Sequence, residues 1–175
     1  MKKNKIRDLE NNIFELMQEL QKLQKENVQQ EVKNYDFSTL NGKSNLLDYF
    51  EDKDKLLVIH NMGQGCRYCT LWGDGINSFL PHLESAISVI LVSKDSPNEQ
   101  RKFANDRNWN FKMASHKGKE YMKDQVSDEN YENSPGAVLY LRENNKIYRK
   151  NDCVFGPGDI YCSMWSFLNL AGISD

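Results

Sequence analysis

The chain has 175 residues and a mass of 20.4 kDa, which suffices for one domain with a proper core plus an appendage but is short for two full domains. Apolar residues make up 39% of it, charged residues 27%, and the net charge is −2, so neither DNA nor RNA binding is indicated. The start of the chain lacks the apolar region of a secretory signal and no later stretch approaches a membrane span, so we expect a cytoplasmic protein without a membrane partner.

The first predicted element is a long amphipathic helix from Ile6 to about Gln30. Its apolar residues recur at alternating spacings of three and four, which is the heptad pattern of a coiled coil. They are Ile6, Leu9, Ile13, Leu16, Leu20 and Leu23. A free coiled coil of about three heptads is marginal, so we expect the helix to pack either on a second copy, giving a homodimer, or on its own domain. The helical segment is taken as 1–33 and the globular domain as 34–175.

Alternating strands and helices begin at Tyr35. The predicted strands are 35–39, ending in an Asn-Gly turn, then 56–60, 88–93, an edge strand at 111–115, and a hairpin of 136–141 with 147–149. The predicted helices are 46–50, one that follows the strand at 56–60, one at 97–107 opened by a capping box, 117–125 beside a polar stretch, and a last one after the break at 156–159. This order describes an α/β domain with a mixed sheet covered on both faces.

Two cysteines three residues apart, Cys66 and Cys69, follow the predicted strand at 56–60, where a strand passes into a helix. Four cysteines are too few for the disulfide framework of a small secreted domain, so in a reducing compartment this pair is catalytic or metal-binding. If Cys66 caps the helix, the unpaired N–H groups and Arg67 favour its thiolate, and a pKa fall from ~8.5 to ~7 needs only ~2 kcal/mol. Cys66 is then the expected nucleophile, and Cys69, one turn later, the resolving thiol.

The order of elements, with the C-x-x-C motif after the central strand and Ser134-Pro135-Gly136 before the hairpin, resembles the thioredoxin superfamily and particularly its peroxiredoxin-related members. More closely, two motifs resemble the bacterial domain-of-unknown-function family 899. They are His60-Asn61-Met62-Gly63 with Cys66 to Gly75, and Phe155-Gly156-Pro157-Gly158-Asp159 with Cys162 and Trp165. The resemblance covers about 35–170 and implies a thioredoxin-like three-layer fold around a central mixed sheet, with a redox-type cysteine pair. It brings no settled substrate or reaction.

His60 stands six residues before Cys66, where many thioredoxins carry a buried acid that takes the proton of the second cysteine. A neutral imidazole has a suitable proton affinity near pH 7, so one hypothesis is that His60 helps to deprotonate Cys69. The alternative is a histidine at a strand end, hydrogen-bonded to a loop.

Pro135 resembles the proline that thioredoxin-like folds hold in cis opposite the cysteine pair, where the backbone of Ser134 would hydrogen-bond an extended substrate. The alternative is an ordinary Pro-Gly turn before a strand.

Further substrate contacts are expected from Arg67, Tyr68 and Trp72. Trp72 would share the wall of the site with Asp74, Tyr161 and Trp165, unless these aromatic residues belong to the core. Gly73 and Gly75 are poor residues for a helix interior, so we expect the helix to begin irregularly and to leave room beside Trp72.

The other two cysteines are harder to assign. Cys162 is a candidate third redox thiol, a metal ligand with the pair, or a small buried residue, and Cys153 shows no partner. Their spacing is unusual for a zinc knuckle, so no metal is assigned.

The leading hypothesis is a thiol–disulfide oxidoreductase that needs no cofactor and acts on a disulfide-containing protein or a small thiol compound. A thiol peroxidase is the runner-up, although Gly63-Gln64-Gly65 replaces the Pro and Thr that precede a peroxidatic cysteine in peroxiredoxins. The third hypothesis is a non-catalytic, dimeric thioredoxin-like binding or scaffold module whose cysteines are structural or hold a metal.

Overall fold

The computed structural model describes residues 2–125 and 133–173. The strands are β1 (Gln30–Val32), β2 (Asp36–Thr39), β3 (Gly42–Asn45), β4 (Lys55–Asn61), β5 (Ser88–Ser93), β6 (Lys112–Ser115), β7 (Gly136–Glu143) and β8 (Lys146–Val154). The helices are α1 (Lys2–Glu26), α2 (Arg67–Glu84), α3 (Pro97–Arg107), α4 (Lys119–Lys123) and α5 (Ser163–Leu170), with a 3-10 helix at Leu46–Phe50. The polar stretch predicted beside α4 falls largely outside the described residues.

The strands form one mixed sheet in the order β1-β8-β7-β4-β5-β6-β2-β3. Strands β4, β5 and β6 run parallel, and β4 also pairs antiparallel with β7. The prediction of an edge strand at 111–115 is wrong, because the β2–β3 hairpin covers that edge through the pair Ser38–Ser115. The short strand β1, which the sequence did not indicate, pairs with β8. The division of the chain at 33/34 stays a prediction.

Each face of the sheet carries its own apolar core, because side chains alternate along a strand. Leu56 and Val58 of β4 point to a core that includes Tyr121 of α4. Ile59 points to the other core, which α2 and α5 cover. The buried residues of α2 recur at helical spacing and form one stripe, which consists of Cys69, Trp72, Gly73, Ile76 and Leu80. The expected three-layer thioredoxin-like fold is confirmed.

Helix α2 is regular through both of its glycines, so the expectation of an irregular start is wrong. A Cβ atom at Gly73 would lie 2.5 Å from the Trp109 ring, whereas one at Gly75 would meet nothing within 4 Å. Gly73 is therefore required by close packing against Trp109, and it leaves no extra room beside Trp72.

The capping box predicted for α3 is present. The Ser96 hydroxyl accepts a hydrogen bond from the Glu99 N–H, and the Glu99 carboxylate accepts one from the Ser96 N–H at 2.9 Å. Pro97 occupies the first helical turn, where no N–H is needed. These local interactions hold the start of α3 beside the carboxyl end of β5.

Helix α1 extends from the sheet with its apolar seam uncovered. Ile6, Leu9, Ile13, Leu16, Leu20 and Leu23 are 40–63% exposed. Contacts to the sheet occur at the helix end, where Asn151 donates a side-chain hydrogen bond to the Gln24 carbonyl at 3.1 Å and Asn27 donates one to the Lys150 carbonyl at 2.8 Å. The sequence predicts that this helix packs either on a second copy or on its own domain. The seam of α1 does not pack on its own domain. Within the described residues, no helix is long and apolar enough to cross a membrane.

Candidate functional site

Cys66 lies at the carboxyl-terminal edge of the parallel strands, where ligands bind in open α/β sheets. It is the N-cap residue of α2, and its Sγ accepts a hydrogen bond from the Cys69 N–H at 3.1 Å. An N–H donor and the positive end of a helix both stabilise a negative charge on sulfur. The predicted position of Cys66 at the start of the helix is confirmed.

Cys66 and Cys69 form a disulfide, with their Cα atoms 5.3 Å apart. Cys66 is half-buried, whereas Cys69 is 3% exposed on the buried stripe of α2. A partner molecule can therefore approach the Cys66 sulfur from solvent. The Cys69 sulfur can reach Cys66 only from the protein interior. This asymmetry fits the order of nucleophile and resolving thiol expected from the sequence.

The loop before Cys66 is held by two side chains from neighbouring strand ends. The Gly63 N–H donates to Asn61 Oδ1 at 2.8 Å, and the Gln64 N–H donates to Asp95 Oδ2 at 2.7 Å. Gly63 has φ of +115°, and a Cβ there would lie 2.8 Å from Asp95 Oδ1, so only glycine fits. Sequence reasoning missed Asp95, although its place just after a parallel strand is a signal that could have found it.

An aromatic cluster covers the first turn of α2. The Trp72 ring stacks on Phe155 with centroids 5.4 Å apart and lies 6.2 Å from the Trp165 ring. Tyr68, which is 47% exposed, lies 6.1 Å from Trp72 and 6.3 Å from Trp165. Tyr161 reaches the edge of the cluster through Phe155. The structure therefore brings these aromatic residues to the cysteine pair, with Trp72 and Trp165 buried as in a core.

Asp74 and Arg67 lie apart from that cluster. Asp74 is held on the far side of α2, where its carboxylate pairs with Arg107 and accepts a hydrogen bond from Trp109 Nε1 at 2.8 Å. Its role there is to fix α3 against α2. Arg67 follows Cys66 and is exposed to solvent.

His60 lies on the other face of the sheet from α2. It shares the face of Val58, and its Nε2 lies 2.8 Å from Asn133 Oδ1 and its Nδ1 3.5 Å from the Tyr121 hydroxyl. Burial lowers the pKa of His60 and keeps the ring neutral. The structure does not bring His60 to the cysteines, because successive residues of β4 point to opposite faces. Its contacts match the alternative of a strand-end histidine bonded to a loop.

His116, which the sequence did not single out, lies beside His60 with ring centroids 5.4 Å apart. Its ring is 4.9 Å from Tyr121, and neither ring nitrogen has a partner among the described residues. Burial lowers the pKa of His116 to about 4, with smaller contributions from the neighbouring His60 and Lys94. This pair of neutral histidines forms a buried polar cluster away from the thiols.

The expectation of a cis Pro135 is wrong, because the Ser134–Pro135 bond is trans. Trans is the default for X-Pro bonds, and the chain enters β7 here, with Gly136 opposite His60. The Pro135 carbonyl accepts a hydrogen bond from the Phe155 N–H at 2.8 Å, and Ser134 is buried. The segment does lie at the carboxyl end of β4, but the Pro135 carbonyl is already used within the fold.

The two remaining cysteines are not disulfide-bonded. Cys162 is the N-cap residue of α5 and is buried in the core with Trp72 and Trp165. Burial raises the pKa of the Cys153 thiol to about 11, so Cys153 is an unreactive thiol near neutral pH. Within 2–125 and 133–173, no group of three or more His, Cys, Asp or Glu side chains is placed to hold a metal ion.

The chain matches a protein-family model over almost its whole length. Residues 6–173 match the family described as bacterial protein of unknown function (DUF899). No curated protein matches the chain by sequence.

Similar solved structures are peroxiredoxins. A mutant of Xylella fastidiosa PrxQ has a TM-score of 0.56 at 16% identity, covering 83% of this chain and 97% of that one. Mycobacterium tuberculosis peroxidoxin BcpB has a TM-score of 0.55 at 12% identity, covering 85% and 99%. The Xanthomonas campestris bacterioferritin comigratory protein, described by its alkyl peroxide reduction activity, has a TM-score of 0.54 at 15% identity, covering 78% and 91%. At these identities the likeness shows the fold alone.

Proposed function

This chain belongs to the DUF899 family of bacterial proteins of unknown function, and on that premise we propose that it is a thiol–disulfide oxidoreductase. One observation carries the proposal: a half-buried Cys66 caps a helix next to a buried Cys69, and the two are bonded as a disulfide. A reversible dithiol needs an accessible thiolate and a second thiol within reach, and this turn supplies both.

In the proposed reaction the reduced protein gives two electrons to a disulfide. The Cys66 thiolate attacks a sulfur of the substrate, forming a Cys66–substrate bond and releasing one substrate thiolate. Cys69, once deprotonated, attacks the Cys66 sulfur, forms the Cys66–Cys69 disulfide and releases the second substrate thiolate. An external dithiol, or two molecules of a monothiol, then reduces the pair again and is itself oxidised to a disulfide.

The proposed substrate is a disulfide-containing protein or a small thiol compound in its disulfide form. Exposed Arg67 and Tyr68 flank Cys66 and would make the first contacts, with Trp72 behind them and the Ser134–Pro135 segment at the adjacent strand end. We place this activity in the cytoplasm, where thiol reductants keep such pairs in the dithiol form.

Trapping of the mixed disulfide tests the proposal. Cys69→Ser should accumulate a substrate adduct on Cys66, while Cys66→Ser should accumulate none. Cys153→Ser should turn over like wild type because the Cys153 thiol is not ionised.

Equilibration with a thiol buffer gives the reduction potential of the pair, near ~−270 mV for a reductant and much higher for an oxidant. A pair that forms no adduct and exchanges with no disulfide would end the proposal.

The same experiment decides the role of His60. That His60 acts as a base toward Cys69 stays a hypothesis. The position of His60 on the opposite face of the sheet from α2 does not favour it. We expect His60→Ala to resolve the mixed disulfide at the wild-type rate, and a slower resolution step at unchanged adduct formation would restore the hypothesis.

A thiol peroxidase is a second candidate, favoured by the peroxiredoxin neighbours. The Cys66 thiolate would attack a hydroperoxide, which leaves a sulfenic acid on Cys66 and releases an alkoxide. The Cys69 thiol would then condense with this sulfenic acid to give the disulfide and water. Consumption of cumene hydroperoxide with a dithiol as reductant measures this activity. A Cys66 oxidation rate no faster than that of a free thiol would exclude it.

We also propose that the protein is a homodimer through α1. The seam residues follow a heptad with Ile6, Ile13 and Leu20 at one core position and leucines at the other, and isoleucine at the first with leucine at the second favours a parallel two-stranded coiled coil. In that register Lys5 of one copy meets Glu10 of the other. With Phe14 and Met17, the exposed apolar surface of α1 is on the order of several hundred Å², which is the size of an interaction patch.

A further inference from the structure

Two buried indole N–H groups beside the cysteine pair have no hydrogen-bond partner. Trp72 and Trp165 are 2% and 4% exposed, and neither Nε1 has an acceptor in the described part of the chain. An indole N–H is a donor only, and burying it without an acceptor costs free energy, so folded proteins contain few such groups. Two of them in contact at a reactive site need an explanation other than packing.

The third tryptophan shows that this core can supply an acceptor. Trp109 is 5% exposed in the same apolar core, and its Nε1 donates to Asp74 Oδ1 at 2.8 Å. Trp72 and Trp165 therefore lack the acceptor that a structural indole in this core has.

Both unpartnered indoles lie against the turn that contains the cysteines. Helical side chains lean toward the N-terminus, so the Trp72 ring lies over the turn of Cys69. Both rings contact Tyr68, which stands between the two cysteines in the chain. Tyr68 is 47% exposed and contacts both rings, so it separates this side of the indoles from solvent.

We propose that Trp72 and Trp165 form a pair of donors for an oxygen acceptor, above all a carboxylate, on a small disulfide substrate, with Tyr68 turning aside to admit it. The inference rests on the proposed oxidoreductase function and names its substrate class. A charged acceptor gives the stronger hydrogen bonds, and the rings of Tyr68 and Phe155 suit an apolar or aromatic body next to it. The thiol–disulfide exchange at Cys66 and Cys69 proceeds as in the proposed reaction.

Indole N–H resonances of the oxidised, nitrogen-15-labelled protein test the site without any turnover. Benzoate is the probe and benzamide its neutral counterpart, and single Trp→Phe variants assign the three resonances. We expect benzoate to move the Trp72 and Trp165 signals downfield and to leave the Trp109 signal in place. Unmoved Trp72 and Trp165 signals, or equal shifts with benzamide, would overturn the inference.

Kinetics give a second, independent readout. For dithiobis(nitrobenzoate), a disulfide that carries carboxylates, Trp72→Phe and Trp165→Phe should each lower kcat/KM about tenfold, mostly through KM, with a much smaller loss for neutral dithiodipyridine. Trp109→Phe should leave the ratio of the two substrates unchanged. Equal losses for both substrates would contradict the carboxylate assignment. If wild type reduced neither compound, the proposed function would fail, and the benzoate titration would still decide the binding site.

Discussion

At the scale of single residues, the two cysteines of the pair differ in exposure although they are one turn apart. Cys66 precedes the first helical residue and so lies off the buried stripe, whereas Cys69 shares that stripe with Trp72 and Ile76. The spacing of apolar residues in α2 therefore supports the proposed roles, because the thiol outside the stripe faces solvent and the thiol on it does not.

His116 is a buried base that couples stability to pH. Its pKa falls from 6.5 to about 4 on folding, because burial and nearby positive charge disfavour the imidazolium. Between those values the unfolded chain binds a proton that the folded protein does not. Its contribution to stability is therefore fully present above pH 6.5 and is lost as the pH falls toward about 4, by at most ~3 kcal/mol.

We predict that His116→Phe flattens this pH dependence, because it keeps the ring against Tyr121 and removes the titrating group. Urea unfolding at about pH 7 and about pH 5 measures the difference in unfolding free energy. His82→Gln, at an exposed histidine, is the control and should keep the wild-type slope. A slope in His116→Phe as steep as that of wild type would contradict the prediction.

At the scale of elements, α2 carries the site because one face of it is packed tightly enough to fix the turn at Cys66 and Cys69. Gly73 permits contact with the Trp109 ring, and Trp109 in turn hydrogen-bonds Asp74 of the same helix. Arg107 adds a second tie from α3 to Asp74. The position of the helix thus depends on close packing one turn beyond Cys69 and two turns beyond Cys66.

Substitutions at the two glycines of α2 should have opposite effects on stability. Gly73→Ala places a methyl group 2.5 Å from the Trp109 ring and should lower the unfolding free energy by ~1–3 kcal/mol. Gly75→Ala lies on the exposed face with nothing within 4 Å, so it should raise the unfolding free energy by up to ~1 kcal/mol. Denaturant unfolding of both variants measures this. Equal effects would show that the Trp109 contact does not constrain the helix.

At the scale of the whole molecule, α1 stands apart from the domain that carries the cysteines. Its seam is absent from both apolar cores, while its end is tied to β8 through Asn27 and Asn151. Pairing with a second copy would cover the seam without altering the sheet. The cysteine pair would then be present twice in one particle.

Leu16→Glu should convert the proposed dimer to a monomer, because it puts a charge at the centre of the seam. Leu16 is 63% exposed in a single chain, so the substitution should leave the unfolding of the domain unchanged. Gln18→Glu adds the same charge on the opposite side of the helix and should leave the dimer intact. Light scattering after size-exclusion chromatography gives the mass of each. A wild-type chain that stays monomeric at high concentration would refute the dimer.

Much of the fold was predictable because its signals are local. The capping box of α3, the continuous apolar run of β4 and the turn between β2 and β3 depend on residues within a few positions of one another. The errors concern contacts between distant residues. The sequence predicts an irregular helix at Gly73, because Trp109, whose ring requires this glycine, lies 36 positions later in the chain.

From the sequence alone it follows that a strand leads into a helix whose first turn carries Cys66 and Cys69, since spacing and helix periodicity are properties of the chain itself. Only the tertiary structure decided which residues of other elements lie next to that turn and which do not. In that structure His60 lies on the far face of the sheet and Pro135 is trans. Asp95 lies against the loop before Cys66. Trp165 contacts Trp72 and Tyr68. The physical reason is that these contacts join residues from different elements, which the pairing of the strands and the packing of α5 on α2 bring together, and no short segment of the chain encodes either.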